Sequence, residues 1–309
     1  MKIHEGVDNF PKLNFPVVTS GTFDGVHIGH QKILEKLREI VRQNKGESVL
    51  LTFWPHPRMV LHSHKYQIKL LSTFEEKAEL LEARGVDHLI KIPFTPEFSQ
   101  LTSEEFVRNI LVNSIGTKKL VIGYDHRFGK NREGGFEYLS QHAAQLGFEV
   151  EEIPQQDIED VAVSSSRIRN ALNEGNVKIA NKYLDRAYSI KGTIIKGAQL
   201  GRSIGFPTAN IKLDNDYKLI PADGAYAVHV QFEQHLYRGM LNIGNRPTVN
   251  GSERTIEVNI FNFDKDIYKK EIKVSFVDQI RKEIKFPNVE ALRKQLMKDR
   301  ELANDILNG

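Results

Sequence analysis

The stretch that most constrains this chain is GTFDGVHIGH, Gly21 to His30. Before it, Pro16-Val-Val-Thr-Ser20 is short, β-branched and bounded by turn formers, so it reads as a buried strand. After it, Gln31 to Gln43 carries Ile33, Leu34, Leu37, Ile40 and Val41 at helical spacing. A glycine-bearing turn between a strand and a helix points backbone N–H groups at whatever sits above the helix N-terminus, which makes a phosphate site. Gly25 and Gly29 allow close backbone approach, and the short Asp24 side chain can fix the turn. His27 and His30 fall on one side of the first helical turn, where an imidazole can share a proton or meet developing negative charge.

The rest of the first half repeats this alternation. Strands are expected at Ser48–Phe53, His88–Ile92, Lys119–Gly123 and Phe148–Ile153. Helices are expected at Thr73–Arg84, at Ser103–Asn113 with Ser103 as cap, and at Phe136–Leu146. Strands separated by helices at this spacing mean a parallel sheet, which binds ligands at the carboxyl ends of its strands. The Gly21–His30 turn, the Trp54–Pro57 segment and the loop after Gly123 all sit at such ends.

From Tyr188 the pattern changes to strand-like runs without helices between them: Tyr188–Ile195, Ala225–Phe232, Leu236–Ile243, Thr255–Phe261 and Glu271–Phe276. This predicts an antiparallel barrel or sandwich. A closing helix, Asn288–Leu307, would bury Val289, Leu292, Leu296, Ala303 and Ile306. The expected division is therefore residues 1–183 and 184–309, and 309 residues suit two domains at roughly 150 residues each.

Composition limits the function class. A net charge of +3 argues for neither a nucleic-acid-coating nor a membrane-surface protein. The chain lacks cysteine, which excludes disulfides and thiolate metal sites. Its N-terminus has no signal-like apolar core and no run is long enough to span a bilayer, so a cytoplasmic enzyme is expected.

The string GTFDGVHIGH resembles the HxGH signature of class I nucleotidyltransferases in its flavin adenylyltransferase form. Two further segments match that family in order. GYDHRFG, 123–129, resembles its GxDFxFG segment with His126 at a usual aromatic. VSSSRIR, 163–169, resembles its ISSTxIR box. The resemblance implies ATP contacts from Gly21, Phe23, Asp24, Gly29, Ser164, Ser165 and Ser166. It implies charge stabilisation by His27, His30 and Arg169, and flavin contacts from Asp125 and Phe128.

In the second half, residues 197–210 read GAQLGRSIGFPTAN. The spacing is not that of a Walker loop, yet glycines at 197, 201 and 205 imply backbone wrapped closely around a ligand. Thr208 and Asn210 offer hard oxygen donors suited to Mg²⁺. The string resembles the riboflavin kinase signature, and NIGNRPT, 242–248, resembles a second segment of that family. It implies ATP contacts from Gly197, Gly201, Gly205 and Thr208, and metal contacts from Thr208 and Asn210. It further implies flavin contacts from Arg246 and Arg281, with Glu257 as general base. Strand alternation puts Ile256, Val258 and Ile260 on one face and Glu257 on the other.

The whole chain thus resembles the prokaryotic bifunctional riboflavin kinases and FMN adenylyltransferases. That implies Mg-ATP, riboflavin, FMN and FAD as cofactor, substrates and products, with neither nucleic acid nor membrane as partner. Oligomeric state is not legible. Two other readings stay open at the level of sequence: a chain with one silent module, and a flavin-binding regulator without turnover.

Overall fold

The computed structural model describes residues 1–61, 68–124, 126–153, 163–197, 200–248 and 251–308. The chain divides into two compact units, Met1–Ser165 and Ser166–Gly309.

The first unit is built on a parallel sheet of six strands: β1 (Lys2–Glu5), β2 (Pro16–Ser20), β3 (Glu47–Trp54), β4 (His88–Pro93), β5 (Lys119–Gly123) and β6 (Glu149–Ile153). Their order is β1-β4-β3-β2-β5-β6, so β2 is central and the chain winds outward from it in both directions. All five residues of β2 are buried, as expected of a strand covered on both faces. One apolar cluster includes Val17, Leu50 and Leu89 with Leu34, Leu37 and Ile40 of helix Ile28–Asn44. Another includes Val18, Leu51, Ile90 and Leu120 with Phe106 and Ile110.

Two local expectations are corrected. Thr102, not Ser103, caps the helix after β4, in a reciprocal box with Glu105. That helix begins as one α turn, Ser103–Glu105, and continues with π-type geometry over Phe106–Ile115. The edge strand β1 goes unread in the sequence because three of its four residues are exposed.

The second unit is a closed barrel of β7 (Ser189–Ile195), β8 (Ala209–Leu213), β9 (Gly224–Phe232), β10 (His235–Thr248), β11 (Gly251–Ile260) and β12 (Glu271–Lys282). Every pairing around it is antiparallel, and β9 pairs back onto β10 to close the ring, which resolves the choice between barrel and sandwich. Strand β8 takes the Ala-Asn end of a segment whose proline suggests only a turn. The closing helix, Val289–Asn308, packs Ala303 and Leu307 against Phe206, Ala227 and Met240. Val289 is 49 % exposed and leaves the expected stripe, while Asp299 is buried to 2 %. Arg281 explains the exchange: its Nη2 lies 2.9 Å from the Asp299 carboxylate, and Gln295 donates to the same group.

Candidate functional site

In the first unit the chain leaves β2 and makes a tight turn before helix Ile28–Asn44. Phe23 and Val26 both take positive φ, 46° and 41°. For side-chain-bearing residues that conformation is strained, and it persists because the surroundings over-determine it. Asp24 supplies much of that determination. Its buried carboxylate accepts hydrogen bonds from the backbone N–H of Leu71, at 2.9 Å, and of Ser72, at 3.2 Å. The Ser72 hydroxyl accepts from Gly25 N–H, and Ser165 Oγ donates to the Asp24 carbonyl at 3.0 Å. Asp24 and Ser165 of the sequence-derived set therefore build the turn.

His27 caps the helix, its Nδ1 accepting from His30 N–H at 3.4 Å. This leaves the proton of a neutral His27 on Nε2. The two imidazoles stack with centroids 3.7 Å apart, and the Phe23 ring packs against His30 at 4.7 Å. Burial, followed by the nearby His27 and Lys77, holds the His30 pKa well below the usual imidazole value. Two full charges at that separation would repel by about 4 kcal/mol at an effective dielectric of about 20. His30 is thus neutral in this arrangement, as one side of the proton-sharing reading allows. No acidic residue occupies the first helical turn, so the positive end of the helix dipole favours negative charge there.

Phe128 lies in the core against Phe106, at 5.4 Å, and the backbone bridges Phe128 to Gly134. His126 Nε2 lies 3.2 Å from Ser20 Oγ at the end of β2, and burial with Arg132 and Arg127 nearby pushes its pKa down to about 4. Asp125 lies outside the described residues. Ser164 directly precedes helix Ser165–Asn173, and Ser166 and Arg169 fall within it. Gly21 sits against the Phe23 ring, 3.1 Å from where a Cβ would stand, and Gly29 is buried in the first helical turn.

The sequence reading missed Lys77, although a signal was present. Phe74, Lys77, Ala78 and Leu81 share the buried face of helix Phe74–Ala83, so a lysine stands within an apolar stripe. It is 3 % exposed.

In the second unit, β11 places Ile256, Val258 and Ile260 in the core, with Glu257 alternating to the other face. Glu257 pairs in register with Asn210 on one side and Asn242 on the other. Thr208 Oγ1 donates to the Glu257 carboxylate at 3.1 Å. Asn259 donates to the Pro207 carbonyl and so fixes the Pro-Thr-Ala-Asn segment over the strand. Two of the three glycines stand tightly against the chain itself. A Cβ on Gly197 would stand 2.0 Å from Asn210 Nδ2, and one on Gly201 would stand 2.2 Å from the Phe206 carbonyl. Gly205 has φ +84°, a conformation that favours glycine.

The Thr208 hydroxyl meets the Glu257 carboxylate, and Asn210 stands beside Glu257 in register, its amide filling the space that a Cβ on Gly197 would take. That hard-oxygen chemistry fits Mg²⁺, which keeps several of its other positions for water and phosphate. Gly197→Ala is expected to displace Asn210 and lower any phosphoryl transfer from ATP that depends on a cation held there about tenfold or more, by analogy with ligand-positioning losses. A coupled ADP-release assay checks this, and unchanged turnover would remove Asn210 from the donors. Arg281 is held by Asp299, with its guanidinium also 5.5 Å from the Phe286 ring. The Arg246 side chain lies outside the described residues.

These two centres can be set beside known proteins. The FAD synthetase family model matches residues 11–167, and the riboflavin kinase family model matches residues 184–307. The chain belongs to the bifunctional riboflavin kinase/FMN adenylyltransferase family. The curated protein of that name from Listeria monocytogenes is 39 % identical, over 95 % of this chain and 93 % of its own. Its counterpart from Escherichia coli K12 is 33 % identical, over 99 % and 97 %. A solved structure from Streptococcus pneumoniae, described as a macrolide-efflux protein, superposes with a TM-score of 0.89 at 33 % identity, covering 98 % of each chain. Among the described residues of the present chain, no helix is long and apolar enough to cross a membrane. In this family the first unit carries the adenylyltransferase fold and the barrel the kinase fold.

Proposed function

We propose that the chain performs both reactions for which its family is named, the barrel phosphorylating riboflavin to FMN and the sheet unit adenylylating FMN to FAD. The riboflavin kinase match begins at residue 184, which supports reading the kinase part as 184–309 and the remainder as 1–183, while the compact units divide earlier, between Ser165 and Ser166. The observation that carries the reading is the Thr208–Glu257 contact beside Asn210. It puts a carboxylate next to hard-oxygen donors, as phosphoryl transfer to a hydroxyl requires.

In the kinase step Glu257 accepts the proton of the riboflavin 5′-hydroxyl as that oxygen attacks the γ-phosphorus of ATP and ADP leaves. Thr208 and Asn210 would hold Mg²⁺, which when bound neutralises phosphate charge. The glycines at 197, 201 and 205 let the backbone close on the nucleotide. In the adenylyl step the FMN phosphate attacks the α-phosphorus of ATP and pyrophosphate leaves. A phosphate dianion has no proton to lose, so this step needs charge stabilisation rather than a base. His27 Nε2–H, His30, the helix N-terminus and the serines at 164 and 165 supply it. Asp125, Phe128, Arg246 and Arg281 are assigned to the flavin side, and the enzyme works in the cytoplasm.

A chromatographic time course with riboflavin, ATP and Mg²⁺ tests the reading. FMN is expected to rise and then give way to FAD. FMN accumulating without FAD refutes the adenylyltransferase half, and no conversion refutes both.

A further inference from the structure

The chemistry assigned to the first unit leaves a buried lysine unused. Lys77 Nζ donates to the Thr22 carbonyl at 3.1 Å and to Thr52 Oγ1 at 2.8 Å, directly beneath the turn between β2 and its helix. Thr52 Oγ1 in turn lies 3.3 Å from the same carbonyl. The ammonium also sits over the Trp54 ring at 5.3 Å and the Phe74 ring at 5.8 Å. Burying a lysine to this degree is costly, and two hydrogen bonds with aromatic faces offset only part of the cost.

We infer that Lys77 is a positioning residue for adenylyl transfer, acting through the Thr22–Phe23 peptide. A trans peptide points its N–H opposite to its C=O. Anchoring the Thr22 carbonyl on the ammonium therefore aims the Phe23 N–H away from Lys77, and polarisation along the chain of bonds strengthens that N–H as a donor. The same anchor holds Phe23 at φ 46° and so keeps its ring on His30. The inference rests on reading this turn as the adenylyltransferase site.

Charge is what the anchor needs, and it titrates in an accessible range. Burial lowers the Lys77 pKa to about 8, with Asp24 opposing the fall. The other titratable groups facing this region are His30, whose pKa burial and then His27 and Lys77 hold down, and Lys91, whose Nζ lies 4.6 Å from the Phe74 ring. The folded pKa is depressed, so Lys77 is charged below about pH 8 and loses its proton above it. The donor strength of the Phe23 N–H falls in the same direction.

The experiment is the pH profile of FAD formation from FMN and ATP, with riboflavin phosphorylation by the same protein as internal control. Wild-type enzyme is expected to lose adenylylation on an alkaline limb near pH 8 that the kinase reaction lacks. Lys77→Met is expected to lower FAD formation roughly ten- to a hundredfold, remove the limb and leave FMN formation within about twofold. Thr52→Val, a milder change, takes away one acceptor of the ammonium and is expected to move the limb to lower pH. A wild-type profile without the limb, or a limb that neither variant moves, overturns the inference. Wild-type protein that makes no FAD at any pH overturns the site reading instead.

Discussion

Replacing His27 and His30 together by alanine is expected to abolish FAD formation while riboflavin phosphorylation continues. The two side chains are one device: stacked at 3.7 Å, joined through His27 Nδ1 and the His30 N–H, and set on a helix end with no acidic residue. Removing a preorganised donor from a site of this kind costs on the order of 10²–10³ in turnover. Paired groups are not additive, so the double variant should fall by about 10³ or somewhat more rather than by the square of the single effect. Loss of the His27 cap destabilises the helix only by about 1 kcal/mol. The kinase reaction monitors the barrel, which has its own apolar cluster, and a thermal melt of the double variant monitors the sheet unit that carries the two histidines. Steady-state assays of both half-reactions decide the matter. Equal loss in both would point to a folding defect, and loss in neither would remove the imidazoles from the mechanism.

How much of this was legible before the structure follows from where the information lies. Strand β2 and its helix declare themselves through uninterrupted apolar burial and a 3.6-residue stripe, both local properties. Alternation with Ile256 and Val258 puts Glu257 on the face away from the core, again a local property, but its selection as base comes from the riboflavin kinase resemblance and not from the pattern. What sequence pattern alone missed is long-range pairing of polar groups. Asp299 looks like a solvent position on the last helix until Arg281, on another element, neutralises it. Lys77 looks like an error in an apolar stripe until Thr22 and Thr52 supply its acceptors. Strand β8 is specified less by its own residues than by β7 and β11, which pair with it on either side. The serine choice at the helix after β4 failed for a smaller reason: Thr102 and Ser103 are adjacent possible caps, and only Thr102 has Glu105 three residues on to complete the box.

Glu257 carries the second large effect. Glu257→Gln keeps an oxygen that can accept from Thr208 but cannot take a proton, so it separates positioning from acid–base work. If the carboxylate is the base, the glutamine variant should lose about 10²–10⁴ in riboflavin phosphorylation with little change in KM for either substrate. Glu257→Ala should fall at least as far and also loosen Thr208, whose 3.1 Å contact it deletes. The difference between the two variants then reports what the Thr208 contact contributes beyond proton transfer. Conversion of supplied FMN to FAD should be unaffected in both, since that reaction has no hydroxyl to deprotonate and uses the other unit. A glutamine variant that phosphorylates riboflavin at the wild-type rate would show that the carboxylate only holds Thr208. The proton of the 5′-hydroxyl would then leave to the phosphate itself, and the Thr208–Asn210 oxygen pair would remain as the part of the barrel on which turnover depends.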